Sequence, residues 1–244
     1  AFGSFPTAPQ NLTDDYDKEV TDTFEIGMKS LWLDNRLRFN AAAFYTEIDD
    51  YQFFNFFAGG FGLLRVVNNI DEVEIYGAEF DFAWAVHDYV TLSGGYGMID
   101  TEIKENKNRP FTEGNDLPYA PDGSGALSLD FKMPVWGEME FVSRLDYEYV
   151  GETWFHSVQN NDTVNAFTDF GFGTSNYNTT QRDDYWKMNL RAGIAGENWS
   201  IMAWSQNVTD EDYLEEVIPA PEFGGSFAHD TAGRVSGVDF TYNF

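Results

Sequence analysis

The sequence lacks cysteine altogether, has few basic residues and contains no long apolar run. With Cys 0, disulfides, thiolate chemistry and cysteine zinc sites are excluded. Only 14 Lys and Arg stand against 41 Asp and Glu, and the formal net charge is -27. Nucleic acid is therefore not expected as a partner, because its binding depends on a surplus of positive charge. No apolar run approaches the ~20 residues that a transmembrane helix needs.

The sequence also lacks the motifs of common hydrolases and metal sites. It has neither a Gly-x-Ser-x-Gly elbow nor a His-Glu-x-x-His pair, so we expect no enzyme, no cofactor and no bound metal ion. The acidic stretch Asp14, Asp15, Asp17 and Glu19 lacks the regular spacing and glycine of an EF-hand loop. The first residues do not form a signal peptide, so either a leader was removed or this is not the natural start.

Aromatic residues are abundant, at 18%, and they lie in segments of alternating polarity. The final segment shows the pattern most clearly, with apolar Val238, Phe240, Tyr242 and Phe244 separated by polar residues. A strand with one apolar and one polar face fits a closed barrel in a bilayer, where lipid solvates the outer face. A mean hydropathy of -0.40 agrees, because only every second residue of such a strand meets lipid. An edge strand of a soluble β-sandwich is the alternative.

Segments of this kind recur along the chain, separated by connections of two alternating lengths. The alternation covers residues 24–28, 37–45, 76–84, 90–98, 127–131, 139–149, 186–194, 199–208 and 233–244. Tight turns are predicted at Asp34-Asn35, His87-Asp88, Pro134 to Gly137 and Gly196 to Asn198, and long connections at about 49–65, 104–118, 151–184 and 209–232. Both parities of 199–208 are partly apolar, so its faces are not assigned. Such sorting of connection lengths to opposite ends is typical of bacterial outer-membrane barrels.

We therefore predict an all-β fold, a transmembrane antiparallel β-barrel with about nine strands in this chain. Single-chain bacterial barrels close with an even number of strands. The chain also begins on the long-loop side and ends on the short-turn side. Residues 1–244 are accordingly interpreted as the C-terminal portion of a larger barrel. Aromatic residues near strand ends fit the two interfacial girdles of such a barrel, among them Trp32, Tyr45, Trp84, Tyr89, Tyr147, Tyr149, Trp186 and Trp199.

Several stretches resemble the barrel of TonB-dependent outer-membrane receptors. They are Thr23 to Ser30, Leu37 to Tyr45, Asn68-Asn69 leading into Tyr76 to Asp81, Thr91 to Gly97, Asn207 to Tyr213 and the ending Gly233 to Phe244. The resemblance implies a barrel of twenty-two strands around a plug, of which these are the last nine, in the outer membrane of a Gram-negative bacterium. The family's N-terminal plug and TonB-engaging segment lie outside this chain. The resemblance also implies that Phe240, Tyr242 and Phe244 form the signal for barrel assembly.

The function that the resemblance implies is active, TonB-coupled uptake of a scarce solute such as a siderophore, vitamin or oligosaccharide. The expected partners are outer-membrane lipid and lipopolysaccharide, a small-molecule ligand at the extracellular loops, and the TonB complex through the N-terminal region. A passive porin or structural outer-membrane barrel is the alternative. A soluble carbohydrate-binding sandwich is a further one.

The predicted extracellular connections contain candidate ligand-binding residues. Aromatic rings and a guanidinium are suited to stack on a ring, a sugar or a siderophore, and we predict ligand contacts from Phe54, Phe56, Arg65, Trp154 and His156. The alternative is that these rings pack loop on loop. His156 and His229 are also candidates for contact with a metal chelate, although a lone histidine in a loop is mostly solvated.

Overall fold

A computed structural model describes residues 15–59, 62–162, 171, 173–174, 180–220 and 225–244, with backbone only for 55–59, 62–65, 219–220 and 225. Its main element is one nine-stranded sheet in which every neighbouring pair is antiparallel. In spatial order the strands are β1 (Val20–Trp32), β2 (Leu37–Gly59), β3 (Gly62–His87), β4 (Val90–Glu105), β5 (Gly123–Trp136), β6 (Met139–Val150), β9 (Tyr185–Ala195), β10 (Trp199–Gln206) and β13 (Val235–Tyr242). The predicted all-β class and the predicted antiparallel barrel sheet are confirmed.

The register keeps the apolar residues of neighbouring strands on one face. One line of directly opposed residues crosses seven strands and consists of Met28, Ala41, Phe80, Tyr96, Gly125, Tyr149 and Trp186. We call this the outer face. It is widely exposed in the structure, with Ile26 at 79% and Phe240 at 67% of full exposure. Large apolar side chains exposed in a continuous sheet require an apolar solvent or partner.

The opposite, inner face carries polar and charged residues. The adjacent line of the same register consists of Lys29, Asn40, Asp81, Gly95, Ala126, Glu148 and Lys187. Cross-strand contacts tie this line together: the Asn40 amide donates to Asp81 at 2.9 Å, and Lys187 lies 3.0 Å from Glu148. The sheet therefore separates an apolar from a polar environment, as the alternation predicts.

Four tight turns connect strands at one end of the sheet. Leu33, Asp34 and Asn35 turn between β1 and β2 with φ of 55°, 56° and 68°, a region that Asn and Asp tolerate well. The turns before β4, β6 and β10 are shorter still, with two, two and three residues. The turn predicted from Pro134 to Gly137 begins later, because β5 continues to Trp136 with a register shift after Pro134. Such an irregularity accommodates a residue that has no backbone N–H.

The prediction of a long loop at 49–65 was wrong. Strand pairing between β2 and β3 continues without a break in register from Tyr51 opposite Ile70 to Gly59 opposite Gly62. Repeated Phe and Tyr favour extended backbone, and a run of adjacent rings hides the alternation on which the prediction depended. The two strands thus extend well beyond their neighbours as one long hairpin.

The described parts of the other three long connections carry short elements. A 3₁₀ turn (Pro110–Thr112) follows β4, β7 (Thr153–Trp154) pairs with β8 (Gln181–Arg182), and β11 (Leu214–Ala220) pairs with β12 (Gly225–Asp230). Within the described residues no helix is long and apolar enough to cross a bilayer. All of these elements lie at the end of the sheet opposite the tight turns.

Candidate ligand-binding site

An apolar cluster covers the inner face at the long-connection end of β2, β3 and β4. Ile48, Val73 and Ile103 are directly opposed across the three strands, and all are buried. Leu117, from the connection after β4, packs on them, and its N–H donates to the Thr101 hydroxyl at 2.9 Å. The connection therefore folds back over the polar interior instead of extending away from the barrel.

Polar side chains within this connection fix its path. The buried Asn106 amide donates to the Thr112 hydroxyl at 2.9 Å. The Lys107 ammonium lies 2.7 Å from Asp71 on β3. Burial alone would raise the pKa of the Asp71 carboxyl, but the hydrogen bonds and charge of Lys107 together outweigh it and lower the pKa. The backbone also pairs with β4, since the Gly114 N–H donates to the Ile103 carbonyl at 2.9 Å. Residues 106–122 thus form a fixed platform above the sheet.

The next connection, 151–162, packs against this platform. Trp154, Phe155 and Val158 are buried, and the Tyr119 N–H donates to the Trp154 carbonyl at 2.7 Å. The Asn115 amide donates to the Ser157 carbonyl at 2.8 Å. The two connections therefore behave as one packed body, and their apolar residues are core residues of that body.

His156 lies inside this body. Its Nδ1 accepts a hydrogen bond from the Val158 N–H at 3.1 Å, and its ring meets the edge of Phe53, with ring centroids 6.4 Å apart. Burial, and then the charge of Arg109, lowers the pKa of His156 to about 3. The imidazole is therefore neutral in the folded connection and serves as a hydrogen-bond acceptor.

Acidification is expected to loosen this connection. In the unfolded connection the His156 imidazole takes up a proton as the pH falls below its ordinary pKa of about 6.5. In the folded connection it stays neutral until about pH 3. The packing is thus fully stable above pH 6.5 and loses about 2 kcal/mol by pH 5. Hydrogen exchange of the Val158 amide, corrected for intrinsic rates, should accelerate roughly thirtyfold between pH 7.5 and pH 5. His156→Gln should abolish this pH dependence; equal protection of the wild type at both pH values would contradict the assignment.

Arg182, on β8, links the 151–162 connection to β9 and β11. Its guanidinium lies 5.5 Å from the Phe155 ring centroid and 5.0 Å from that of Tyr185. It also donates to the Thr153 hydroxyl at 2.9 Å and to the Leu214 carbonyl at 3.3 Å. Beside it, Tyr185 and Tyr213 stack with centroids 3.7 Å apart. The sequence did not reveal this clamp, because a single arginine in a polar connection forms no motif.

The structure places the five predicted ligand contacts in two different environments. Trp154 and His156 are 8% and 6% exposed, and both lie within the packed connections. Phe54 is half-buried on β2 and stacks on Phe53 at 5.1 Å. Phe56 and Arg65 are directly opposed in the β2–β3 register, and their side chains lie outside the described residues. The ligand assignment stays a prediction for all five.

Other rings and charges are more accessible at the long-connection end. Phe111, Tyr119 and Phe227 are exposed, although the Tyr119 hydroxyl donates to the Val217 carbonyl at 3.1 Å. His229 lies on β12 with its Nδ1 3.2 Å from the Glu215 carboxylate. Among the residues that the structure describes, no three His, Asp or Glu side chains are grouped to hold a metal ion.

Two depressions lie along the inner face of the sheet. The first, of about 750 Å³, is lined by residues that include Glu25, Lys29, Asn40, Glu79 and Asp81. The second, of about 470 Å³, lies further along the face, and its lining includes Arg144, Arg191, Trp204, Gln206 and Asp239. The inner face is thus a polar, uneven wall that is suited to contact another polar surface or water.

Comparison with known proteins identifies the relatives of this sheet. Residues 2–208 match the model of the family described as TonB dependent receptor-like, beta-barrel. The probable TonB-dependent siderophore receptor PiuA of Acinetobacter baumannii is 27% identical over 133 residues, which are 48% of this chain and 16% of that protein.

Solved structures with the same fold belong to receptors of this kind. The ferric yersiniabactin uptake receptor FyuA of Yersinia pestis superposes with a TM-score of 0.70 at 17% identity, covering 93% of this chain and 30% of that one. The ferric-catecholate import receptor Fiu of E. coli gives a TM-score of 0.67 at 19% identity, covering 98% and 30%. This chain therefore spans less than a third of the relatives it matches.

Proposed function

The chain belongs to the TonB-dependent receptor-like β-barrel family, and from this premise we propose that the whole protein takes up a scarce solute by active, TonB-coupled transport. Proteins of this family are outer-membrane receptors and transporters of Gram-negative bacteria, and they are not enzymes. A siderophore, a vitamin or an oligosaccharide is the class of solute that such a receptor concentrates. PiuA, FyuA and Fiu are named as receptors for siderophores or ferric chelates, which favours the first of these.

The observation that carries the proposal is the division of the sheet into two faces. The register presents apolar residues to the outside on all nine strands and mainly polar or charged residues to the inside. A wall of this kind separates lipid from a polar interior. The polar inner depressions support the presence of a plug, because a family member fills its barrel with one.

The division of the protein is part of the same proposal. Residues 1–244 are the C-terminal portion of the barrel, and the plug, the TonB-engaging segment and the earlier strands belong to the rest of the protein. Coverage of only 30% of FyuA and of Fiu supports this division.

The proposal also includes the signal for barrel assembly. Phe240, Tyr242 and Phe244 are exposed at the end of β13, an arrangement that suits recognition by the assembly machinery.

The ligand site in this proposal lies at the long-connection end, which is extracellular in barrels of this type. Phe54, Phe56 and Arg65 lie on the long β2–β3 hairpin and offer rings and a cation. Because Trp154 and His156 are buried, their direct contact with a ligand requires the 151–162 connection to open. In the closed form they hold the neighbouring connections in place.

Uptake in cells tests the transport proposal. A strain that depends on this protein for iron, supplied as a ferric siderophore, should lose uptake at least tenfold when TonB is deleted. Restoring TonB should restore uptake, whereas a variant lacking residues 151–162 should reduce uptake in the presence of TonB. Uptake that is unchanged without TonB would contradict active transport.

The same uptake experiment distinguishes active transport from a passive porin. A porin would pass small solutes independently of TonB and would show steady conductance in a planar bilayer. A plugged receptor should remain closed to ions under the same conditions.

A further inference from the structure

Two side chains hold both the 151–162 connection and the β11–β12 hairpin. They are Tyr119, in the platform, and Arg182, on β8, which is separated from β9 by two residues. The platform packs on the sheet through Leu117, and β8 is closely joined to the start of β9. Both side chains therefore begin from parts of the chain that are fixed to the sheet.

Tyr119 contacts both of the segments that it holds. Its N–H donates to the Trp154 carbonyl at 2.7 Å, and its ring meets the Phe155 ring edge to face, with centroids 5.3 Å apart. Its hydroxyl donates to the Val217 carbonyl of β11 at 3.1 Å. The backbone of Tyr119 has a φ of 62°, a left-handed conformation that is rare for a bulky residue and persists only where surrounding contacts impose it. The closed arrangement thus holds strain that opening would release.

Arg182 makes the corresponding set of contacts from β8. Its guanidinium donates to the Thr153 hydroxyl at 2.9 Å and to the Leu214 carbonyl of β11 at 3.3 Å. It also lies 5.5 Å from the centroid of the Phe155 ring, and Phe155 is only 2% exposed. Tyr119 and Arg182 therefore each hold one carbonyl of β11, and both contact the same buried ring of the 151–162 connection.

The shared Phe155 ring couples the two segments. If the 151–162 connection lifts, Phe155 leaves with it, and the Tyr119 ring loses its packing while the Arg182 guanidinium loses its cation–π contact. The two side chains are then no longer held in the orientations that reach β11. If β11 leaves first, the hydroxyl and the guanidinium turn toward water and no longer enclose Phe155. A network whose members orient one another in this way tends to be either complete or broken.

We propose that the 151–162 connection and the β11–β12 hairpin form one lid at the mouth of the barrel, and that its two parts open and close together on Tyr119 and Arg182. The platform stays on the sheet when the lid opens. Because the long-connection end is extracellular in barrels of this type, a solute enters through one opening event instead of two independent ones. This role in entry rests on the proposed function, whereas the coupling of the two parts does not.

Hydrogen exchange of the whole protein in detergent reports on each part of the lid separately. The Phe155 N–H donates to the Thr180 carbonyl at 3.1 Å and reports on the 151–162 connection. The Thr231 N–H donates to the Tyr213 carbonyl at 3.0 Å and reports on the base of the β11–β12 hairpin. The Thr112 amide, within the platform, is the internal reference. In a lid that opens as a unit, the Phe155 and Thr231 amides share one opening equilibrium.

Tyr119→Phe removes the hydroxyl contact with β11 and keeps the ring on Phe155. Exchange of the Thr231 and Phe155 amides should accelerate by the same factor, about fivefold, because one hydrogen bond of the closed state is lost. Exchange of the Thr112 amide should not change. Acceleration of Thr231 alone, acceleration of neither lid amide, or an equal acceleration of Thr112 would each overturn the proposal.

Thr153→Val makes the reciprocal change, since it removes the hydroxyl of the 151–162 connection that accepts from Arg182. Thr231, on the other part of the lid, should again accelerate as much as Phe155, at least about fivefold. Tyr147→Phe on β6 and Thr91→Val on β4 are the matched controls within the sheet, and each should change both rates less than about twofold. Acceleration confined to Phe155 in Thr153→Val would contradict a single lid. If Thr153→Val does not assemble, Tyr119→Phe decides alone.

Discussion

Gly193→Ala is expected to prevent assembly of the barrel or to destabilise it by about 3 kcal/mol. Gly193 lies on the inner face of β9, where a side chain would collide with the backbone carbonyl of Ile201 and reach to within 2.7 Å of the Met202 sulfur. A backbone atom cannot move aside without breaking the β9–β10 pairing. The measurement is the yield of the heat-modifiable folded form, together with the free energy of unfolding in urea.

Gly97→Ala is the matched control for this substitution. Gly97 also lies on the inner face within a strand, yet the nearest atom to an added methyl group is the Glu79 Cβ at 3.9 Å. The change should be neutral or should stabilise by about 0.5 kcal/mol, because alanine restricts the unfolded chain. Equal effects of the two substitutions would show that the close approach at Gly193 does not exist in the folded protein.

Arg144→Met is expected to cost about 2 kcal/mol of stability, between the values for exposed and for buried ion pairs. The Arg144 guanidinium lies 2.9 Å from Asp130 and 2.8 Å from Asp146, and it donates to the Ser128 hydroxyl at 2.8 Å. Its removal leaves two neighbouring carboxylates without their shared cation. The urea midpoint of the assembled protein measures the loss.

Arg191→Met provides the comparison, because Arg191 is directly opposite Arg144 on the adjacent strand. Within the described part of the chain Arg191 makes no ion pair. Its removal also relieves the repulsion between like charges that face each other, so stability should change by less than about 0.5 kcal/mol. A larger loss at Arg191 than at Arg144 would contradict this account of the inner wall.

Much of the sheet was predictable because the environment imposes a period of two on each strand. The strands at Phe24 to Met28 and at Trp186 to Ile194 were found where the alternation is clean. The strand after Trp199 could not be given faces from sequence, since both parities are apolar. The structure resolves it: Ile201 opposes Phe240 on the outer face, whereas Trp204 is on the inner face and covers Gly237.

The long connections were harder to predict because their structure depends on contacts between distant segments. The buried contact of Leu117 with Ile48 and Val73 joins parts of the chain that no local pattern links. The strand β11 contains Pro219, a residue that argues against a strand in sequence. The burial of Trp154 and His156 follows from packing between two connections, so the sequence could not distinguish a ring that meets a ligand from one that supports a loop.

The lipid-facing side of the sheet can be identified with spin labels, because residues 1–244 contain no cysteine. Single-cysteine variants at each position from Tyr76 to Trp84 on β3, made in the whole protein after any cysteine outside residues 1–244 has been replaced by serine, can be spin-labelled and reconstituted in lipid vesicles. If the sheet is a barrel wall in lipid, collision with dissolved oxygen, which concentrates in lipid, should peak at every second position, beginning with Tyr76 and including Phe80. Collision with a water-soluble nickel complex should be lowest at those positions. Oxygen maxima at Gly77, Glu79 and Asp81, or no alternation at all, would contradict a lipid-embedded barrel wall.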